Sequence, residues 1–224
     1  MKKLTLILFL ISSYLLTNAQ NQIGLNIGYS RAGLLITNYE GNKPTNFVTI
    51  GIPFNFTLNK SLAIRFSPSF IRYGERSEYN EGDPINDVET DGYVHFNTIS
   101  TPIELRWKYA ENDKLVASLN IGIGHNVILN GKGDLVVYQK DFWTQAVSTE
   151  RIQDDVKFGV DGRQRHSMFG IVGMDLGYKI NTDFTVNLNF SYSIGLTELV
   201  IGDESNLDSF LATTFSVQFL RSLK

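Results

Sequence analysis

The chain has 224 residues, of which 42% are hydrophobic, 12% aromatic and 19% charged, a composition that excludes a disordered polypeptide. Lys plus Arg number 20 against 23 Asp plus Glu, so a net charge of −3 leaves no basic footprint for nucleic acid. The absence of cysteine excludes disulfides, thiolate zinc sites, iron–sulfur clusters, cysteine nucleophiles and a lipidated cysteine, and three histidines leave little for metals.

Residues 1–19 have the layout of a secretory signal peptide. Lys2 and Lys3 form a basic start, Leu4 to Leu16 form an apolar run broken by Thr5, Ser12, Ser13 and Tyr14, and Thr17-Asn18-Ala19 supplies small residues at a cleavage site. The run is too short to cross about 30 Å of hydrocarbon as a helix, so cleavage after Ala19 is expected, with one domain over 20–224. No later stretch is long and apolar enough for a membrane helix, a test that leaves β-barrel strands of about 9–11 residues untouched.

From residue 22 onward the hydrophobic period is two, which predicts an all-β chain. The first segment sets Ile23, Leu25, Ile27 and Tyr29 against Gly24, Asn26, Gly28 and Ser30. The second runs from Val48 to Leu58, with Thr49, Gly51, Pro53, Asn55 and Thr57 on its polar flank, and the third from Leu62 to Phe70, with Arg65, Ser67 and Ser69 opposite the apolar residues. The fourth, Tyr93 to Tyr109, sets Ile99, Ile103, Leu105, Trp107 and Tyr109 against Ser100, Pro102, Glu104, Arg106 and Lys108. The fifth runs from Leu115 to Asn126. The sixth, Met168 to Ile180, has its parity broken by Phe169 and Ile171, which a bulge or a bulky plug would explain. The seventh, Phe184 to Ile194, alternates most cleanly, and the eighth runs from Leu211 to Phe219.

Period two fits a soluble sandwich as well as a membrane barrel, and the chemistry of the polar flank separates them. Segments one, two, five and seven carry only Gly, Ser, Thr, Asn and one Pro there, with no charge. Small uncharged residues suit the tight bore of a small barrel and would leave the bulky flank toward lipid. Connections alternate too: short turns at 59–61, 110–114 and 181–183, long loops at 31–46, 74–92, 130–166 and 197–209, an outer-membrane signature with the short side periplasmic. Trp107, Tyr109, Tyr178, Phe184 and Phe219 beside the turns, and Tyr29, Tyr93 and Tyr192 toward the loops, are expected to form two interfacial girdles. The expected fold is an eight-stranded antiparallel up-and-down transmembrane β-barrel, with segment eight closing on segment one.

The Asn-Ala-Gln signal end, the strands 47–56 and 62–70, and above all Phe96-Asn97-Thr98-Ile99-Ser100-Thr101-Pro102-Ile103-Glu104-Leu105-Arg106-Trp107-Lys108-Tyr109 resemble the PorT-like outer-membrane β-barrel family of Bacteroidota. That family's fourth strand carries Ile-Pro or Ile-x-x-Pro before an apolar run ending in Lys-Tyr. The resemblance spans most of the mature chain. It implies an outer-membrane barrel, mostly without assigned activity, some relatives being linked to type IX secretion and gliding. Ser100-Thr101 between Ile99 and Pro102 departs from the compact Ile-Pro form.

No catalytic, cofactor or metal residues are assigned, and no cofactor is expected. His95, His125 and His166 are the candidates for a lipid-modifying enzyme, but no His-x-Ser puts a nucleophile and its base on one strand face. The acidic run Glu75, Glu78, Glu81, Asp83, Asp87, Glu89 and Asp91 lacks EF-hand spacing and is expected to be a solvated loop rather than a Ca²⁺ site. Gly131-Lys132-Gly133 lacks the rest of a phosphate loop and is expected to be a turn. Arg65, Glu104, Arg106 and Asp175 share the inward parity, and a charge at the lipid midplane costs about 2–4 kcal/mol, so they are expected to pair in the lumen as a plug, the alternative being a gated pore. The expected function is a monomeric structural or interaction barrel in the outer membrane of a Gram-negative bacterium. Its partners would be outer-membrane lipid and other envelope proteins met through loops 74–92 and 130–166, where Phe142-Trp143 and Asp161-Gly162-Arg163 stand out. The alternatives are a narrow solute channel, a type IX secretion or gliding accessory, a lipid-modifying enzyme and a soluble periplasmic barrel.

Overall fold

The computed structural model describes residues 21–35, 42–82, 86–141, 147–156, 158, 164–197 and 209–223. The signal segment, Phe142-Trp143 and Asp161-Gly162-Arg163 lie outside the described residues. The described chain is all β: β1 (Gln22–Leu35), β2 (Asn42–Gly51), β3 (Phe54–Thr57), β4 (Leu62–Phe66), β5 (Ser69–Gly82), β6 (Asn86–Glu111), β7 (Leu115–Asp141), β8 (Val147–Asp155), β9 (His166–Lys179), β10 (Phe184–Gly195) and β11 (Ser209–Ser222).

The expected eight-stranded barrel is therefore corrected to eleven strands in one antiparallel sheet, ordered β2-β5-β6-β4-β3-β1-β11-β10-β9-β7-β8, with further pairings β1–β2 and β6–β7. Two breaks account for two of the added strands. Pro53 and Pro68 have no amide hydrogen to give the ladder, so the second segment divides into β2 and β3 and the third into β4 and β5. Alternation passes through both breaks because the proline carbonyls still accept: Gly24 donates to Pro53 at 3.0 Å and Ile52 to Pro68 at 2.9 Å. The third addition, β8, pairs among the described residues only with β7 and exposes all nine of its residues. β1 pairs with β11 from Gln22↔Ser222 to Leu35↔Ser209, and steps along the pairings lead from β1 through β2, β5, β6, β7, β9 and β10 to β11.

Two expected loops are also corrected. Residues 74–92 are mostly ladder, β5 and β6 pairing from Gly74↔His95 to Gly82↔Asp87. Residues 130–141 and 147–155 form a second ribbon in which β7 runs on to Asp141 and β8 pairs beside it, so Gly131-Lys132-Gly133 is strand rather than turn. β7 reaches this length past a bulge at Leu129, where Asn97 pairs with Asn130 and Thr98 with Ile128.

The three short turns are built alike. In Asn59-Lys60-Ser61-Leu62, Asn112-Asp113-Lys114-Leu115 and Asn181-Thr182-Asp183-Phe184 the Asn side-chain oxygen accepts from the amides two and three residues on, at 2.7–2.9 Å.

Burial alternates with the same period, in the opposite sense to a soluble protein. Leu188 and Phe190 are 44% and 46% exposed, whereas Asn187 and Asn189 between and beside them are 0% and 6% exposed. Ile27, Ile50, Ile103, Ile121, Met174 and Phe215 repeat this around the sheet, each exposed, while Asn26, Thr49, Glu104, Asn120, Asp175 and Ser216 are buried. Large apolar side chains stand exposed on β1, β2, β6, β7, β9, β10 and β11, a surface of the kind that marks a membrane or interaction face.

Candidate functional site

Arg65, on β4, lies three strands from Asp175, on β9, with β6 and β7 between them. In a flat sheet that separation is about 14 Å, so their direct contact requires the sheet to curl around them. Nη2 of Arg65 donates to Asp175 Oδ2, Arg65 Nη1 lies 3.4 Å from Asp175 Oδ1, and Arg106 Nε sits 3.0 Å from Asp175 Oδ2. Glu104, paired in register with Arg65, completes the set at 3.9 Å from Arg65 Nη1. All four are at least 94% buried, and two cations balance two anions.

Residues outside the four carry much of the hydrogen bonding. Asn189 and Asn120 donate to the Asp175 carboxylate at 2.7 and 3.1 Å. Arg65 Nε donates to Asn55 Oδ1 at 3.2 Å, Asn55 to Gln22 at 3.3 Å, and Arg106 Nε to Ser118 at 3.1 Å. Sequence reasoning set Asn55, Ser118, Asn120 and Asn189 on the polar flank without singling them out and did not place Gln22, because nothing distinguishes Asn120 from Asn126 until the fold supplies a carboxylate. Such a cluster can neutralise buried charge and join distant strands.

On the ribbon side of the cluster the buried face turns apolar. Ala32, Tyr73, Phe96, Ile128 and Ala212 pack together, with Val94, Val156 and Phe158 against them. Tyr73 and Phe96 rings lie 5.4 Å apart. Phe169 and Ile171, which break parity in the sixth segment, are buried without a register shift on either neighbour, so bulk rather than a bulge explains them. Gly124 makes the space: a Cβ there would stand 2.1 Å from Phe169 Cζ. On the turn side the interior instead opens into a cavity of about 850 Å³ bounded by Arg106, Lys108, Glu111, Lys114, Lys179 and Asn187, among others.

The aromatic residues expected at two interfaces take these positions: Tyr29, Trp107, Tyr109, Tyr178, Phe184, Tyr192 and Phe219 are exposed, and Tyr93 is half-buried. Trp107 and Tyr109 rings lie 6.3 Å apart beside the 112–115 turn, and Arg221 stands 5.8 Å over the Phe184 ring. Glu111 joins two turns, accepting from Lys179 at 2.6 Å and Lys108 at 3.3 Å, and the Lys179 hydrogen bond holds its carboxyl below the usual range.

The ribbons carry bidentate ion pairs. Arg76 donates to both oxygens of Asp91 at 2.9 and 2.8 Å, and Arg151 forks onto Asp134, which also accepts from Gln153 at 3.1 Å. These hydrogen bonds lower the pKa of Asp91 and of Asp134. Asp91 of the acidic run is thus committed to an arginine, and among the described residues no group of three or more His, Asp or Glu is arranged to hold a metal. His95 neighbours Tyr93 at 5.6 Å between centroids, whereas His125 and His166 stack on each other. Ser167 faces inward and is 3% exposed while His166 faces out, so that pair does not converge.

Comparison with known proteins agrees in kind. Residues 18–200 match the family described as outer membrane protein beta-barrel domain. Among solved structures, the chain is similar to the attachment invasion locus protein Ail of Yersinia pestis, with 15% identity, 91% of this chain and 99% of that one covered, and a TM-score of 0.40. It is similar to Neisserial surface protein A, with 8% identity, 91% and 97% covered, and a TM-score of 0.48. It is also similar to OprG of Pseudomonas aeruginosa, with 8% identity, 92% and 97% covered, and a TM-score of 0.43. No curated protein sequence matches the chain.

Proposed function

We propose, from the premise that the chain belongs to the outer membrane protein beta-barrel domain family, that it is a non-conducting, non-catalytic outer-membrane protein whose ribbons are its working surface. Family membership assigns the chain to the outer membrane of a Gram-negative bacterium. The observation that supports the rest is the occupied middle of the interior: the Arg65–Glu104–Arg106–Asp175 cluster and, beyond it, the Tyr73–Phe96 cap stand between the turn-side cavity and the ribbons. The four charges act as a lumen network that pins the sheet, and the exposed aromatics as anchors at the two bilayer interfaces. With the interior filled, the β5–β6 and β7–β8 ribbons remain to meet other envelope proteins, the protein itself acting as a monomer. Residues 1–19 serve as the export signal, removed after Ala19.

Planar-bilayer recordings test this directly. The purified protein is expected to give no reproducible openings; steady openings that disappear when Arg65 or Glu104 is changed would establish the pore instead. A photo-crosslinker at Ile152, on β8, is expected to capture envelope proteins that a crosslinker at Ile121, on the apolar face, does not.

The second reading, a narrow gated channel, is favoured by the cavity of about 850 Å³ that reaches Arg106 from the turn side. The strand from Phe96 to Tyr109 supports a narrower assignment to the PorT-like proteins of Bacteroidota, and with it an accessory role in type IX secretion or gliding. Unimpaired secretion and gliding in a deletion strain would remove that role and leave the barrel assignment intact.

A further inference from the structure

His125, on β7, and His166, on β9, come from strands that pair as His125↔Met168 and Val127↔His166, so the two histidines stand diagonally across one ladder on its outer face. Diagonal neighbours are within reach of long side chains. His166 is exposed and His125 half-buried, at the ribbon end of the sheet. The rings are nearly parallel, 12° apart with centroids at 5.2 Å, and His166 Nδ1 lies 3.2 Å from His125 Nε2.

That separation is informative. Two imidazole nitrogens bound to one transition-metal ion at about 2.0–2.1 Å, with an angle between square-planar and tetrahedral, stand about 2.8–3.4 Å apart. The pair therefore holds its nitrogens at chelating distance before any ion arrives. In the metal-free protein one nitrogen donates to the other. When both face an ion, the donor ring carries its proton on its far nitrogen instead, so neither neutral ring has to lose one.

We propose that His125 and His166 form a surface site for a divalent first-row transition ion, with Cu²⁺ the most tightly bound. Imidazole donors suit copper, nickel and zinc, and for a fixed pair of nitrogens affinity peaks at Cu²⁺. The remaining positions are open to water or to headgroup oxygens. The site is separate from the interior and does not depend on whether the lumen conducts.

The test is CuCl₂ titration of the folded full-length mature protein in detergent micelles, followed by electron paramagnetic resonance. One tightly bound Cu²⁺ per chain is expected, with superhyperfine splitting from two equivalent nitrogens. Changes in outer partners alone cost about 10–100-fold in metal affinity, so His125→Gln and His166→Gln should each weaken binding by about tenfold or more. The double variant supplies the background from the chain's amine terminus, and unchanged heat-modifiable migration of all three variants shows that they fold. Wild-type and double-variant titrations that coincide, or a spectrum with a single nitrogen, would overturn the site.

Discussion

The charged cluster in the middle of the buried face and the apolar cluster on its ribbon side fill the space inside the sheet by different means. At the middle, Arg65, Arg106 and Asp175 are held by directional contacts to opposite charges or amides at hydrogen-bonding distance, with Glu104 joined to Arg65 by a longer ion pair of 3.9 Å. At the cap, Ala32, Tyr73, Phe96, Ile128 and Ala212 are held by shape and volume. A polar cluster is exacting because removing one member strands the others in a low-dielectric site, whereas an apolar cluster loses only contact area. Equal burial therefore does not mean equal tolerance to substitution.

The largest effect is expected at Asp175. Asp175→Asn preserves the side-chain shape yet leaves Arg65 and Arg106 facing Glu104 alone, and breaking a buried ion pair from one side costs about 3–5 kcal/mol. Urea unfolding in liposomes measures it. A loss below about 1 kcal/mol would mean that water enters the cluster freely and that the middle is no more exacting than the cap. Next comes Gly124→Ala, whose added Cβ meets the Phe169 ring. Overpacking of this kind costs about 1–3 kcal/mol, and Phe169→Leu in the same chain should return part of it. A double-mutant cycle with no coupling would remove Gly124 as the seat of that ring. At the cap itself, Ile128→Leu conserves volume and should cost less than about 1.5 kcal/mol in the same unfolding measurement.

The contrast also explains what was legible before the fold. The alternation that exposes Leu188 and Phe190 and buries Asn187 and Asn189 is written along the strands of the sheet body, because its two faces impose opposite chemistry on successive residues. The strand count was not legible. Pro53 and Pro68 interrupt the ladder without shifting parity, so the pattern crosses them unmarked, and β8 has no alternation because solvent surrounds all of it. The ribbons read as loops because Glu75 to Asp91 carries charges, which away from lipid cost a strand nothing. Parity put the four charges on one flank, but it could not name Asn55, Asn120 and Asn189 as their partners, since that depends on register: Asn55 stands opposite Arg65, Asn189 opposite Asp175, and Asn120 diagonally from Asp175. The repeated Asn-x-x-apolar unit at 59–62, 112–115 and 181–184 was a local signal, available to anyone who aligned the three turns.

The smallest effect belongs to the turn end, where charges meet solvent rather than one another in a closed space. Glu111 binds Lys179 and Lys108 while about two-fifths exposed, and its carboxyl titrates below the ordinary range chiefly because Lys179 donates to it. A folded-state pKa below the unfolded one adds stability that is complete above the unfolded value and disappears as pH falls through the folded value. The stability gap between wild type and Glu111→Gln should therefore be widest near pH 7 and close progressively below about pH 4. Solvent screening keeps the gap to about 1 kcal/mol or less, and raised salt should narrow it further. A gap that persists at pH 3, or one as large as that of Asp175→Asn, would mean that the turn end is as dry as the middle, and the contrast between the exacting interior and the permissive rim would fail there.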